Sequence, residues 1–248
     1  MAETRYVYSP EDDPYRLSAW NTALPRQHAA YKFYESFGNW ADVDKFVKHQ
    51  ISRTTEELDT LEPDIKEKFI KLFQLAFAEG FLPLLIEGKR SFERSQRLYE
   101  EYKRTGENVA APAGKSFHNY GQAGDWAIYS YSGNDFMAGG TTTLNKIAEE
   151  NDLGLRWGIG WGDPPHFENA NYTLKQLQNA SDEYDDWINL TDQGRAQRMD
   201  DEAIDRQKEE VEEKKTLISG KKWIAPTLIG IVAIGIITTI VFLVRREQ

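Results

Sequence analysis

Of the four histidines in the 248-residue chain, two lie in short segments that also carry acids. The first segment reads Ser116-Phe117-His118-Asn119-Tyr120-Gly121-Gln122-Ala123-Gly124-Asp125, and the second reads Asp163-Pro164-Pro165-His166. His118, Asp125 and His166 are candidate zinc ligands. Three protein donors leave a fourth coordination position open, as catalytic zinc requires and structural zinc does not. Taken singly, each histidine reads as a satisfied core residue. Taken together, with Asp163 alongside, the set points to metal-assisted hydrolysis. Asp163 is spaced to face the open position as a general base, taking a proton from the attacking water and passing it to a leaving amine. It reads also as a turn aspartate before a double proline. Arg90 is either a surface arginine beside Lys89 or a group that reaches the cleft to bind a polarised carbonyl oxygen or a substrate carboxylate. Trp126, Trp157 and Trp161 either wall a cleft or belong to the core.

Several elements must position these groups. His118 and Asp125 are seven apart and would share a helical face, but Gly121 and Gly124 between them favour a turn leading into a strand. That strand is expected over Asp125–Tyr131, with Leu155–Trp157 and Pro165–Glu168 as short partners. Leu82–Glu87 reads as a buried strand. Short helices are expected over Ala29–Phe37 and Trp40–Ile51. A longer one opens at Pro63, carries the stripe Ile65, Phe69, Leu72, Phe73, Ala76 and Phe77, and stops at Gly80. Ser91 caps a helix to about Lys103 with Leu98, Tyr99 and Tyr102 inward. Thr105–Lys115 is a loop and Ser132–Gly140 a turn region, followed by a helix over Thr141–Asn151. Thr173 and Gln176 form a capping box for a helix with Leu174, Leu177, Tyr184 and Ile188 on one side. Residues 195–219 are charged and helical; Ile204, Val211 and Ile218 recur every seven, a route to self-association.

Forty acids against thirty bases give a net charge of −10, which excludes nucleic acid as a partner because phosphate neutralisation needs a basic surface. With no cysteine, neither a disulfide framework nor a thiolate metal site can form. Met1–Pro10 lacks the apolar stretch of a secretory leader. Trp223–Val244 is uncharged for 22 residues, flanked by Lys221, Lys222, Arg245 and Arg246. As a helix it would span about 33 Å, enough to cross the roughly 30 Å hydrocarbon core of a bilayer. Residues 223–244 are therefore expected to anchor the protein in a membrane by its tail.

The segments Glu87-Gly88-Lys89-Arg90-Ser91, Gln96-Arg97-Leu98-Tyr99, Ser116-x-His118-x-x-Gly121-x-Ala123-x-Asp125, Gly154-Leu155-Arg156-Trp157-Gly158 and Asp163-x-Pro165-His166-Phe167-Glu168 resemble those of the zinc peptidases of family M15. That family includes the D-Ala-D-Ala carboxypeptidases and dipeptidases and the L-alanyl-D-glutamate endopeptidases of phage lysins, to which the arrangement is most similar. The resemblance covers about half the chain. It implies an α+β fold, a small antiparallel sheet with helices packed on one side, to which the chain adds helical extensions and a tail helix. It implies Zn2+ on His118, Asp125 and His166, Asp163 as base, Arg90 on the carbonyl oxygen, and Ser116, Gln96 and Trp157 towards the substrate, peptidoglycan. Two departures concern the cleft rim: the stretch from Trp157 to Asp163 is shorter than usual, and Gly124 stands where an apolar residue is usual. The implied division is an extension (1–50), a zinc peptidase domain (51–170), a charged helical stalk (171–220) and an anchor with a basic tail (221–248). A tail anchor suits a protein of a membrane-containing virus particle that opens the wall at entry. Two other functions compete: a D-Ala-D-Ala carboxypeptidase or dipeptidase, and a wall-binding module of the same fold without turnover, which would carry a defective ligand or base.

Overall fold

The computed structural model describes residues 11, 13–17, 40–79, 81–107, 109–130, 135–136 and 140–219. Helix α1 (Trp40–Asp59) starts where expected but runs past Ile51, because Thr54 and Leu58 prolong its buried side. Helix α2 (Pro63–Ala78) opens with its proline in the first turn, and all six residues of the expected stripe are buried. Strand β1 (Leu82–Glu87) has the expected bounds. Helix α3 (Phe92–Thr105) is capped by the Ser91 side chain and ended by Gly106 in the left-handed conformation. Its buried side is Phe92, Glu93 and Ser95 rather than Leu98, Tyr99 and Tyr102, which are only half-buried.

A 3-10 turn (Phe117–Tyr120) leads into β2 (Ala123–Ser130), two residues earlier than expected. The expected turn region contains the two-residue β3 (Asp135–Phe136), and α4 (Gly140–Glu150) begins at its end. Strand β4 (Leu155–Trp157), a second 3-10 turn (Gly158–Trp161) and β5 (His166–Asn169) follow. The helix expected after Thr173 is two helices, α5 (Leu174–Asn179) and α6 (Asp182–Asn189). Ser181 breaks them by accepting from the Tyr184 N–H and capping α6, so Ile188 is exposed and Trp187 is buried instead. Helix α7 (Asp192–Ser219) is the expected charged helix.

The sheet is antiparallel, ordered β1-β2-β5-β4, with β3 pairing the far end of β2. Its register decides which side chains meet. Glu87 pairs with Asp125, Asp125 with His166, and Arg156 with Glu168. Side chains alternate between faces along a strand, so Glu87, Asp125, His166, Glu168 and Arg156 share one face. A bulge between Leu85 and Glu87 returns Glu87 to that face. The opposite face presents Leu85, Trp126, Ile128 and Phe167 to a core shared with α1, α2 and α4. There Phe69 meets Trp126 edge-on at 5.2 Å.

The expectation of helices on one side needs correction. A second core of Phe92, Phe117, Tyr120, Ala123, Leu177 and Trp187 joins α3, the first 3-10 turn, α5 and α6. Ala123 points the same way as Asp125, so this core lies on the polar face. The chain divides into compact units at Glu202 and Ala203. Residues 171–202 therefore belong to the body, and the boundary expected at 170 falls inside a unit. The helix expected at Ala29–Phe37 and the span at 223–244 lie outside the described residues. Among the described residues, no helix is long and apolar enough to cross a membrane.

Candidate metal centre

His118 is held by two local devices. Ser116 Oγ accepts from the His118 N–H at 3.3 Å and caps the 3-10 turn, and Gly121 ends it at φ +62°. Asn119, buried beside it, fastens the turn to the start of α3. Its amide donates to Arg90 O at 3.0 Å and Ser95 Oγ at 2.8 Å, and its carbonyl accepts from the Gly114 N–H at 2.9 Å. The turn thereby swings His118 over the polar face of the sheet, where Asp125 and His166 already stand opposite each other.

The three side chains converge. His118 Nε2 is 3.1 Å from Asp125 Oδ1 and 3.0 Å from His166 Nδ1, and His166 Nδ1 is 3.3 Å from Asp125 Oδ1. Tetrahedral zinc bound at about 2.0–2.2 Å separates its donors by about 3.3 Å or slightly more, so the triangle has the right size. The outer nitrogens direct lone pairs inward. His118 Nδ1 faces Gly88 O at 2.6 Å and His166 Nε2 faces Glu168 Oε2 at 3.1 Å. With each outer nitrogen carrying its hydrogen to that acceptor, Nε2 of His118 and Nδ1 of His166 are free to bind a cation. Glu168 is in turn fixed by Arg156, whose Nε donates to Oε1 at 2.9 Å. The donors present fit zinc with one open position.

The electrostatics agree. Burial disfavours a charged His166, but Asp125 and Glu168 overcome it and push the imidazole up to about 9. Burial also works against ionised Asp125, yet His118 and His166 hold its carboxyl far below the usual range. The cluster draws positive charge, and a dication competes with protons for it.

Asp163 and Arg90 complete the surroundings. Burial, then the charge of Asp125, raises the Asp163 carboxyl above the ordinary aspartate value, and His166, His118 and Arg90 also act on it. Asp163 is placed by its backbone: its N–H donates to Gly158 O at 3.0 Å and its carbonyl accepts from the His166 N–H at 3.1 Å. Gly158 is needed for this approach, since a Cβ there would lie 2.2 Å from Asp163 O. Arg90 is paired with Glu87 and reaches Asp125 Oδ2 at 3.3 Å. Burial works against its charge, but Glu87 first, then Asp125 and Asp163, sustain it. Its Nε is buried with no partner among the described residues. Glu87 also accepts from Arg94 Nε at 2.6 Å.

The three residues expected on the substrate side each have partners within the chain. Ser116 is the cap just described. Gln96 donates to Glu100 at 3.1 Å and steadies the loop through the Ala113 N–H at 3.3 Å. Trp157 stacks on Phe167 and donates its indole N–H to Pro164 O at 2.6 Å, propping the turn that bears Asp163. The sequence reading missed Asn119, Glu168, Glu87 and Arg156. Their signal was present, since all four stood in the quoted segments, but residue type alone does not say which partner a polar group takes.

A turn-borne histidine and two ladder-paired side chains, beside a half-buried acid and an arginine, form a group that could hold a metal ion. A family model described as VanY, D-alanyl-D-alanine carboxypeptidase, matches residues 58–154. The chain is 31% identical over 123 residues to the peptidoglycan L-alanyl-D-glutamate endopeptidase CwlK of Bacillus subtilis (strain 168), covering 44% of this chain and 72% of that protein. It belongs to this family of peptidases. Among solved structures, it is similar to the L-Ala D-Glu endopeptidase ChiX of Serratia marcescens, at 22% identity and TM-score 0.37 over 50% of this chain and 89% of that one. It is also similar to a variant of the vancomycin-resistance D,D-pentapeptidase VanY in complex with Zn(II), at 19% identity and TM-score 0.34 over 48% and 76%. The family match ends before Asp163 and His166, whose place in the site therefore rests on the geometry.

Proposed function

We propose that the chain is a zinc-dependent peptidase that hydrolyses the peptide stem of peptidoglycan at the L-alanyl-D-glutamate bond. The observation that carries the reading is the convergence of His118 Nε2, Asp125 Oδ1 and His166 Nδ1, all within 4.8 Å of one another, on a face that also holds Asp163 and Arg90. Zinc bound there supplies a Lewis acid and brings the ionisation of a coordinated water near neutrality. Asp163, its carboxyl raised by burial, takes a proton from the attacking water and delivers it to the leaving amine. Arg90, oriented by Glu87, offers its guanidinium to the carbonyl oxygen as negative charge develops there. Ser116, Gln96 and Trp157 act at one remove, by shaping the walls. Identity to CwlK over most of that protein's length supports the choice of bond. The family match to D-alanyl-D-alanine carboxypeptidase supports a second reading, cleavage of the terminal D-Ala-D-Ala bond. Intact ligands and base speak against a binding module without turnover.

The uncharged run at residues 223–244 supports anchorage in a lipid bilayer, and a membrane-containing virus particle is the setting we favour. Fractionation of purified particles tests that setting, which fails if the protein is absent from them.

The activity is tested by digesting purified walls with the chain lacking residues 220–248. Stem cleavage should stop with a zinc chelator and return on adding zinc. Asp163→Ala should lower kcat by about 10²–10⁴-fold while zinc stays bound. Mass analysis of the fragments separates the two bonds. Digestion that survives both the chelator and Asp163→Ala would overturn the mechanism.

A further inference from the structure

The three tryptophans near the metal centre have different fates. Trp126 is buried in the main core. Trp157 is stacked on Phe167 and hydrogen-bonded to Pro164 O. Trp161 alone is open: its side chain is 52% exposed, and it is the one aromatic among the described residues that counts as exposed. Its ring stands 6.0 Å from that of the ligand His166, nearly edge-on. No described residue accepts from its indole N–H. Ile159, in the same four-residue turn, is 50% exposed. The other large exposed apolar residues are scattered over β1, the 106–115 loop, α6 and α7. The turn also stands clear of the body, because a Cβ on Gly160 or Gly162 would meet nothing within 4 Å. An exposed apolar surface concentrated beside a reactive centre marks a binding surface.

The nature of the occupant follows from size and polarity. A stem peptide next to the scissile bond offers an alanine methyl and carboxylates, which neither fill nor match an indole and an isoleucine. A pyranose ring does both: its C–H face stacks on an aromatic ring, and its hydroxyl and acetamido oxygens accept an indole N–H. In peptidoglycan the sugar is joined directly to the L-alanine of the stem. It therefore lies one residue from the L-alanyl-D-glutamate bond and several residues from the terminal D-Ala-D-Ala bond. We propose that Trp161 is a specificity-determining residue that stacks on the N-acetylmuramyl sugar of the substrate and so directs cleavage to the sugar-proximal bond. The inference rests on the stem-peptidase reading above and adds to it the recognition of the glycan.

The test compares N-acetylmuramyl-L-Ala-D-Glu-L-Lys-D-Ala with the same tetrapeptide lacking the sugar. The readout is the ratio of kcat/KM on the two substrates. The wild-type chain should favour the sugar-bearing substrate by about 5–10-fold, the size expected of one aromatic contact, and the preference should sit in KM. Trp161→Ala should bring the ratio close to one, and Trp161→Phe should keep most of it. Calorimetric binding of N-acetylmuramyl-L-alanyl-D-glutamate to zinc-stripped protein should weaken by the same factor in Trp161→Ala, which separates recognition from turnover. Thermal unfolding and zinc content should not move. A wild-type ratio near one, or equal losses on both substrates in Trp161→Ala, overturns the proposal and leaves Trp161 as a cover for His166. Cleavage of neither substrate by the wild type overturns the stem-peptidase reading instead. Sugar-dependent binding to the zinc-stripped protein would then still decide the role of Trp161.

Discussion

The candidate metal ligands depend on groups outside the triad. Glu168 receives the outer N–H of His166 and is itself held by Arg156, so the imidazole has a fixed tautomer and a more basic inner nitrogen. Glu168→Ala should weaken zinc affinity by about 10–100-fold, measured by competition with a chelator of known affinity. Unchanged affinity would mean that backbone geometry alone orients His166. Gly158 acts on Asp163, the proposed base, in the same indirect way. Gly158→Ala puts a Cβ 2.2 Å from Asp163 O, and a shift of about 1 Å at the proposed base should cost about 10²-fold in kcat. Gly160→Ala, in the same turn but facing open space, should change thermal stability little and calibrates the comparison. The meeting of His118, Asp125 and His166 was legible in the sequence because few residue types bind zinc, and their spacing suited one site. Asn119, Glu87 and Glu168 were not, because an amide or a carboxylate gains its role only when folding supplies its partner.

The elements bearing the ligands are tied together at one end by a polar clamp. Asn169 ends the strand that carries His166, and Gln122 lies between His118 and Asp125. Both bond Asp64 in the first turn of α2: Asn169 Nδ2 reaches Oδ2 at 2.9 Å and Gln122 Nε2 reaches Oδ1 at 2.8 Å. Asn169 also accepts from Lys68 Nζ at 2.7 Å and donates to Gln122 Oε1 at 2.9 Å. Partial burial alone would raise the Asp64 carboxyl, but the donors Gln122, Tyr172, the Ile65 N–H and Asn169 hold it below the usual value. A carboxyl depressed in the folded state stabilises the fold above its unfolded value of about 3.9, and that stability is lost as pH falls through the lower folded value. Asp64→Asn should therefore lower Tm by about 2–4 °C at neutral pH, and the gap to the wild type should begin to narrow below about pH 4 and close only below the lowered folded value. A gap that does not shrink at all between about pH 4 and pH 2 would assign the loss to packing rather than to charge. The periodic stripe of α2 was readable from sequence, since it repeats at helical spacing within one segment. The clamp was not, because its members lie on three segments at least 47 residues apart, and nothing local marks an Asp, a Gln and an Asn as neighbours.

At the scale of the whole molecule, family likeness and physical unit do not coincide. The resemblance ends near residue 170, yet Leu177 and Trp187 beyond it complete the core that holds the His118 turn. Trp187 lies 6.0 Å from the Phe92 ring, Gln178 Nε2 donates to Gly114 O at 2.8 Å, and Arg198 pairs with the buried Glu93 at 2.5 Å. These contacts were illegible because six core residues are drawn from a stretch of almost a hundred, each isolated among polar neighbours. Burying one large side chain contributes about 1.5–3 kcal/mol, against a total stability of about 5–15 kcal/mol for a domain. Losing Leu177 and Trp187 together, and with them the closure over Phe92 and Phe117, removes a large share of that total. It removes it on the side of the sheet where His118, Asp125 and His166 meet. A chain ending at residue 170 should therefore unfold without a cooperative transition near the Tm of a chain ending at Ser219, and should retain less zinc after gel filtration. Equal Tm and equal zinc content in the two would show that the His118 turn is held by Asn119 and the sheet alone, and that α5 and α6 are ornaments to a complete peptidase.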